Sequence, residues 1–338
     1  MIMSVIRFKN NTLYASEFIT QPGINKVRFT HDGKVICNGY ITQDLRMPAD
    51  ATFTRPTPAY LSDGTQVAAN TPRFEQGRFG KAIMVEEGTT NLSLYSEQFD
   101  NSWWVKGQSS VTPNATTGPF GAQTADKLVA NTALDIHSCY HRFPGLSTNT
   151  NYTFSVFLKK GEYKYANVSI DRTDRYNRTF VIIDLDTGEF VNGPKTIGTG
   201  CVLVQARADY IGNGWWKVQI AVDSGSNTLL TVSVWAVANG YEVQDIPAFV
   251  GDGTSGIYLF GAQFEAKPYA TSYMPTTSTT ITRSPESLTI PTDGVLNPAE
   301  GTVECWLNPL VVRNWNNYFN MSGLSNGRFL LFFTEAGM

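Results

Sequence analysis

Three groupings of side chains in this sequence are of the types that carry chemistry. Asp184, Asp186 and Glu189 lie close together in DLDTGEF, and a glycosidase needs two carboxylates facing each other across a sugar. The Asp186-Thr187-Gly188 run is also turn chemistry, and two acids spaced i, i+2 on one strand point the same way along one sheet. His137, Cys139 and His141 in HSCYH are zinc-ligand types on one strand face. Same-face neighbours on a strand stand about 7 Å apart, however, and no fourth ligand is in view. Trp103, Trp104, Trp215, Trp216 and Trp235 form the third group. Flat rings stack on the C–H faces of sugars, whose hydroxyls pair with Asp, Asn, Gln and Arg. No nucleophile elbow, HExxH, phosphate loop or dinucleotide fingerprint occurs. The chain is therefore expected to be no enzyme and to hold no catalytic residue, metal or cofactor; a structural calcium would be compatible with it, but no EF-type loop locates one.

A glycan site is the chemistry best matched to these residues. Trp215 and Trp216 must face opposite ways on a strand, and Trp216 is expected inward with Val218 and Ile220, which leaves Trp215 outward. Trp235 opposes the apolar face of its own strand. Tyr163 and Tyr165 are expected on a shared strand face, followed by Arg172, Asp174, Arg175 and Tyr176 in a polar loop, and these together could form a groove that grips a glycan. The plain alternative is that DRTDRYNR is a solvated hairpin loop whose ion pairs are worth little.

The elements that must position these groups are strands. Tyr152, Phe154, Val156 and Leu158 alternate onto one face, as do Trp216, Val218, Ile220 and Val222; Leu230, Val232, Val234 and Ala236; and Ile257, Leu259 and Gly261. Turns at Asp186-Thr187-Gly188 and Gly212-Asn213-Gly214 separate them, and no segment of helical length shows a helical apolar period. Charged residues make up 16% of the chain against a usual value of about 25%. The fold class predicted is all-β, an antiparallel jelly-roll β-sandwich.

The net charge of -3 offers no basic face for phosphates, which argues against nucleic acid. The start MIMSVIRFKNN lacks an apolar leader core, and no stretch reaches the ~20 apolar residues of a membrane span. Synthesis in a cytoplasm without membrane insertion is expected. Cys37, Cys139, Cys201 and Cys305 are widely spaced and are read as free thiols.

At 338 residues more than one structural unit is expected. Residues 1–45 hold a weak duplication, IRFKNNTLYASEFIT and VRFTHDGKVICNGYIT, each copy reading as a hairpin. A two-stranded ribbon is marginal alone, so this N-terminal anchor needs a partner: another copy of the chain, another protein, or the main domain. Residues 46–90 read as linker and wrap, with Gln43–Pro58 as the most linker-like stretch. Residues 91–286 hold the sandwich, and 287–338 begin a partial second one.

The quoted residues resemble a known family. TPRFEQGRFGKAIMVEEGTTNLSLYSEQFDNSWW, then ADKLVA, YTFSVFLKKGEYKYANVSI, FVIIDLDTGEF, GNGWWKVQI and IYLFGAQFEAKPYATSYMPTTSTTITRSPE follow the order met in phage tail and virion appendage proteins, over about residues 71–286. That domain resembles carbohydrate-binding modules of the jelly-roll sort, and SLTIPTDGVLNPAEGTVECWLNP resembles the opening of a laminin-G or concanavalin-like domain. The resemblance implies a virion surface protein (tail fibre, spike or head appendage), oligomeric with a trimer favoured, joined to other virion proteins through its hairpins and touching a host surface glycan. It leaves open a purely architectural subunit, or a glycan depolymerase whose catalytic part lies past Met338.

Overall fold

The structure is a computed structural model. It describes residues 51–289 apart from positions 78, 79, 173 and 200; outside that range it describes the backbone of strands 4–9, 12–15, 27–29, 35–37, 300–305, 316–324 and 327–333. No helix occurs among the described residues. The chain divides into two compact units, one of Thr54–Arg73 with Val85–Ser287, the other of Met1–Phe53, Phe74–Met84 and Leu288–Met338.

Twelve strands build the first unit's sandwich. They are β1 (Val105–Gly107), β2 (Ser109–Thr116), β3 (Ala125–Ala130), β4 (His137–Pro144), β5 (Asn151–Lys159), β6 (Tyr165–Asp171), β7 (Arg178–Asp184), β8 (Phe190–Ile197), β9 (Val202–Gly212), β10 (Trp215–Asp223), β11 (Leu229–Val237) and β12 (Gly256–Glu265). One six-stranded sheet runs β1-β4-β11-β6-β7-β8 and the other β2-β3-β12-β5-β10-β9. Every pairing within them is antiparallel. The all-β sandwich read from the alternation is the fold observed.

The core lies between the sheets. Tyr152, Phe154, Val156 and Leu158 of β5 meet Val218, Ile220 and Val222 of β10 and Leu230, Val232, Val234 and Ala236 of β11, as period two requires. Strand β12 departs from the simple pattern. Ile257 and Leu259 point into the core, then Ala262 and Phe264 do, because the register against β5 slips between Phe157↔Phe260 and Ser155↔Gln263. Gly261 sits at the slip with φ +65°. It supplies the left-handed backbone of a bulge, and that, with a Cβ position only 2.8 Å from the Phe157 ring, is why the residue is glycine.

Both sheets also bury much of their outer faces. On the second sheet Phe157, Trp215, Phe260 and Tyr273 form a separate apolar cluster, with Phe120 packed against it. The Tyr273 hydroxyl bonds Ser96 Oγ at 2.9 Å and donates to Glu97 Oε1 at 3.0 Å. Tyr269 reaches Glu87 at 3.4 Å. The tail of GAQFEAKPYATSYMPT thus closes over a sheet face.

The linker expected at Gln43–Pro58 ends in buried structure. Arg55 is wholly buried and joins Arg73, Arg283, Glu86 and Glu286 in one ion network, so Thr54–Arg73 belongs with the sandwich. Positions 43–50 lie outside the described residues.

In the other unit Ser4–Lys9 pairs antiparallel with Thr12–Ala15, and Val27–Phe29 with Val35–Cys37. The Asp32-Gly33 turn lies outside the described residues. Ser4–Lys9 also pairs with Glu300–Cys305, a partner within the chain. The apolar run GRFLLFF pairs as Gly327–Phe333 with Asn316–Leu324.

Candidate functional site

An open concavity with aromatic lining lies where the ends of β5, β7 and β9 and the start of β10 meet. It has a volume of about 690 Å³ and is lined by Lys159, Lys160, Leu185, Asp186, Tyr210 and Trp216, with Gly161 and Gly214 in its walls. Three loops make it. Strand β9 ends in Tyr210, and Gly212, Asn213 and Gly214, all at positive φ, reverse the chain so that Trp216 returns on β10 beneath the tyrosine. The rings are 5.0 Å apart and tilted by 57°. Tyr210 is 59% exposed, and its hydroxyl accepts from the Gly214 N–H at 3.2 Å.

Trp216 is held from the other side. Its indole N–H donates to the Leu185 carbonyl at 3.0 Å, and the Asp-Thr-Gly turn lies against its ring. A Cβ at Gly188 would come within 2.2 Å of that ring, so glycine alone lets the turn approach. Lys160 grips Asp186 at 2.8 and 2.9 Å with both side chains half exposed. Lys159 makes no ion pair among the described residues; its Nζ lies 5.9 Å from the Trp215 ring. Two aromatic surfaces beside an ammonium group and a partly paired carboxylate suit a polar, ring-shaped ligand with apolar C–H faces.

The residues singled out from sequence fall elsewhere. Trp215 and Trp216 do face opposite ways, with Trp216 against the core. The outward Trp215 is nevertheless fully buried in the cluster with Phe157, Phe260 and Tyr273, its indole N–H donating to the Thr117 carbonyl at 3.2 Å. Trp235 opposes the core face as expected but is only 2% exposed, stacked on Arg178. Neither ring is open to a ligand, because loop segments cover both outer sheet faces.

Tyr163 and Tyr165 do not share a face. Tyr163 precedes β6 and packs toward the main core and Phe249, whereas Tyr165 joins Phe180, Ile182 and Val237 on the outer side. The polar loop closes on itself: Arg172 N–H donates to the Asn177 carbonyl, and Asp174 Oδ1 accepts from the N–H groups of Tyr176 and Asn177. Arg172 reaches the Thr199 carbonyl, Arg175 pairs with Asp135, and Tyr176 is 63% exposed. Tyr163 and Tyr165 thus point to different sides of the sheet, and the loop's polar groups bond largely within the loop.

The acid and metal groupings are engaged in local structure. Asp184 accepts from the Asp186 N–H at 2.9 Å and pairs with Lys164. His137 bonds the carbonyls of Gln108 and Phe249, Cys139 is in the core, and His141 stacks on Trp103 at 3.4 Å. No cluster of three metal-ligating side chains occurs among the described residues. Tyr210 and Lys159 were the residues missed; the signal available was a tyrosine two positions before a Gly-Asn-Gly reversal, facing its tryptophan across the turn.

No family model and no curated protein matches the chain. Solved structures similar to it include the enzymatically active domain of bacteriophage CBA120 tailspike protein 4, at 15% identity and TM-score 0.31 over 52% of this chain. The match spans only 21% of that tailspike domain. The CBM22-1 xylan-binding domain of Paenibacillus barcinonensis Xyn10C is 12% identical, with TM-score 0.31, over 54% of this chain and 99% of that one. A mannan-recognising carbohydrate-binding module, TmCBM27, is 10% identical with TM-score 0.25, over 54% of this chain and 98% of that one. Likenesses this distant carry no argument about ligand or activity.

Proposed function

We propose that the chain is a non-catalytic, glycan-contacting subunit of a phage virion surface, and that the contact is made by the Tyr210–Trp216 cleft. One observation carries the contact: Tyr210 and Trp216 stand side by side in an open cleft with Lys159 and the Lys160–Asp186 pair at its rim. A hexose laid on Tyr210 would present hydroxyls to those charged groups while its C–H face covers the ring. The virion part rests on the ordered resemblance over residues 71–286 and on the paired hairpin strands, which would dock to other virion proteins. A single such site binds weakly, and repeated copies on a particle would supply avidity.

The test is a glycan array and calorimetry on the intact chain, with Tyr210→Ala and Lys159→Gln beside it. Tyr210 is exposed, so its loss leaves the fold in place. Saturable saccharide binding that Tyr210→Ala abolishes is the result expected. Absence of binding, or binding indifferent to Tyr210→Ala, overturns the cleft reading and favours a purely architectural subunit. Release of reducing sugar by the intact chain would overturn the non-catalytic part. Light scattering after size-exclusion chromatography tests the trimer.

A further inference from the structure

The outer face of the first sheet carries a second grouping, made of different residues from the cleft. On β6 Asn167, Ser169 and Asp171 alternate with the core residues Ala166, Val168 and Ile170. Register places Asn167 beside Trp235 and Ile182, Ser169 beside Ser233 and Phe180, and Asp171 beside Thr231 and Arg178. All nine of these outer residues are buried. A polar sheet face hidden from water needs both a cover and an internal account of its hydrogen bonds.

Residues 238–248 form part of the cover. Tyr241 packs on the cluster of Tyr165, Phe180, Ile182 and Val237. Farther on, Asp245 reaches Asn192 and Lys195 of β8, so the segment crosses from β11 toward the sheet edge. The Lys195–Asp245 pair is some two-fifths exposed on each side, and a pair of that exposure is a weak fastening.

The account of hydrogen bonds does not close. Asp171 stands opposite Arg178 in register, yet it takes its bonds from the Ser169 hydroxyl at 2.8 Å and the Ser233 hydroxyl at 3.4 Å, and no ion pair joins it to Arg178. The Arg178 guanidinium instead lies between two rings, its Cζ 4.0 Å from the Trp235 centroid and 4.2 Å from that of Phe180. Its Nη1 makes one long bond, 3.5 Å, to Asn167 Oδ1. Arg178 Nε and Nη2 and Asn167 Nδ2 have no partner at all.

These orphans have a shared character. All three are donors, so what is missing is an acceptor. Nε and Nη2 form the edge of a guanidinium that presents two parallel N–H bonds, the geometry matched by the two oxygens of a carboxylate. The flanking rings fix the plane of that fork in advance, so little rotamer freedom remains to be lost on binding. A buried arginine left with an empty fork costs stability, and a site that bears such a cost is a candidate for a ligand.

We propose that Arg178, with Asn167, is a receptor for one carboxylate group, belonging to a small free carboxylate or to the uronate of an acidic saccharide, which enters when residues 238–248 lift. The fork takes the two carboxylate oxygens and the Asn167 amide donates alongside. No covalent step is involved. This site stands independently of the Tyr210–Trp216 cleft.

The test follows the Arg178 Nε–Hε resonance of the isotope-labelled intact chain by NMR while sodium acetate, methyl glucuronoside or methyl glucoside is added. Acetate is expected to shift that resonance saturably and the neutral glucoside to leave it in place. A shift with glucuronoside as well as acetate assigns the site to acidic saccharide; with acetate alone, to a free small carboxylate. Arg178→Lys keeps the charge and loses the fork, and should weaken acetate by about tenfold, the equivalent of one good bond. Tyr210→Ala should change nothing here. No saturable shift with either anion overturns the proposal and leaves the three donors to water; equal binding by Arg178→Lys overturns the fork.

Discussion

Arg73 meets Glu286 edge-on across 213 residues of sequence, Nε on Oε1 and Nη2 on Oε2, both at 2.8 Å. The same two groups serve a wider network. Arg55 also donates to Glu286 at 2.7 Å, Arg73 and Arg283 both pair with Glu86, and the Glu86 N–H donates back to Glu286 at 2.8 Å. Every member is buried. The motifs TPRF, VEEGTTNL and TRSPE, separate in sequence, thus contribute their charges to one place.

Removing one partner from such a network strands the rest. Glu286→Gln should lower stability by about 3–5 kcal/mol, the cost of leaving buried charge uncompensated. Urea unfolding of the two proteins checks it; a loss under about 1 kcal/mol, the range of exposed pairs, would show that the network is not closed to solvent.

Acid should first stabilise the sandwich. Burial raises Asp171 and Asp126 to about 6, and it raises Glu97 and Glu265 as well. A folded-state pKa above the unfolded one means that the folded protein takes up the proton first, so stability gained from these groups grows as pH falls from above 6 toward 4. Arg178 and Asp174 are the charges that act on Asp171, the first favouring and the second opposing its ionised form. Glu86 opposes the trend: burial pushes it up, but Arg283 and Arg73 prevail and hold it below the ordinary 4.5, so its contribution is lost only at lower pH. The melting temperature should be higher at pH 5 than at pH 7. Asp171→Asn should remove a share of that rise worth about 1 kcal/mol.

Gly188→Ala should disturb the cleft through Trp216. The residue has φ +77°, and the added methyl has no room beside the indole. A cost of at least about 1 kcal/mol from the backbone alone is expected, with a changed tryptophan emission and weaker saccharide binding. Unchanged emission would mean that the turn relaxes away from the ring.

The two core thiols should be inert in the folded protein. Burial pushes Cys139 up to about 12 and Cys201 up to about 11, and the thiolate is the reactive form. In a Cys37→Ser, Cys305→Ser chain, modification by a thiol reagent at pH 8 should proceed only as fast as unfolding. Prompt labelling would place one thiol within reach of solvent.

The inward faces were legible because period two declares which side of a strand is apolar: Phe154, Ile220 and Val232 sit where alternation puts them. The outer faces were not. Alternation marks Trp215 and Trp235 as opposite to the core, but whether these rings are covered depends on segments far away in sequence, Phe120 and Tyr273 for the first and Arg178 for the second. The slip at Gly261 was hidden too, since a bulge adds a residue without breaking the apolar run. Arg55 lies in the stretch that reads as a linker, because it becomes buried only when the distant Glu286 arrives.

The ion network also settles what the ends of this unit experience. The segments beside residues 54 and 287 are fastened to one another through Arg55, Glu286 and Arg73, so a pull along the chain meets that knot before it reaches any strand of the two sheets. Drawing residues 55 and 286 apart would therefore first have to part buried charges, a brittle clasp that holds until it gives way at once.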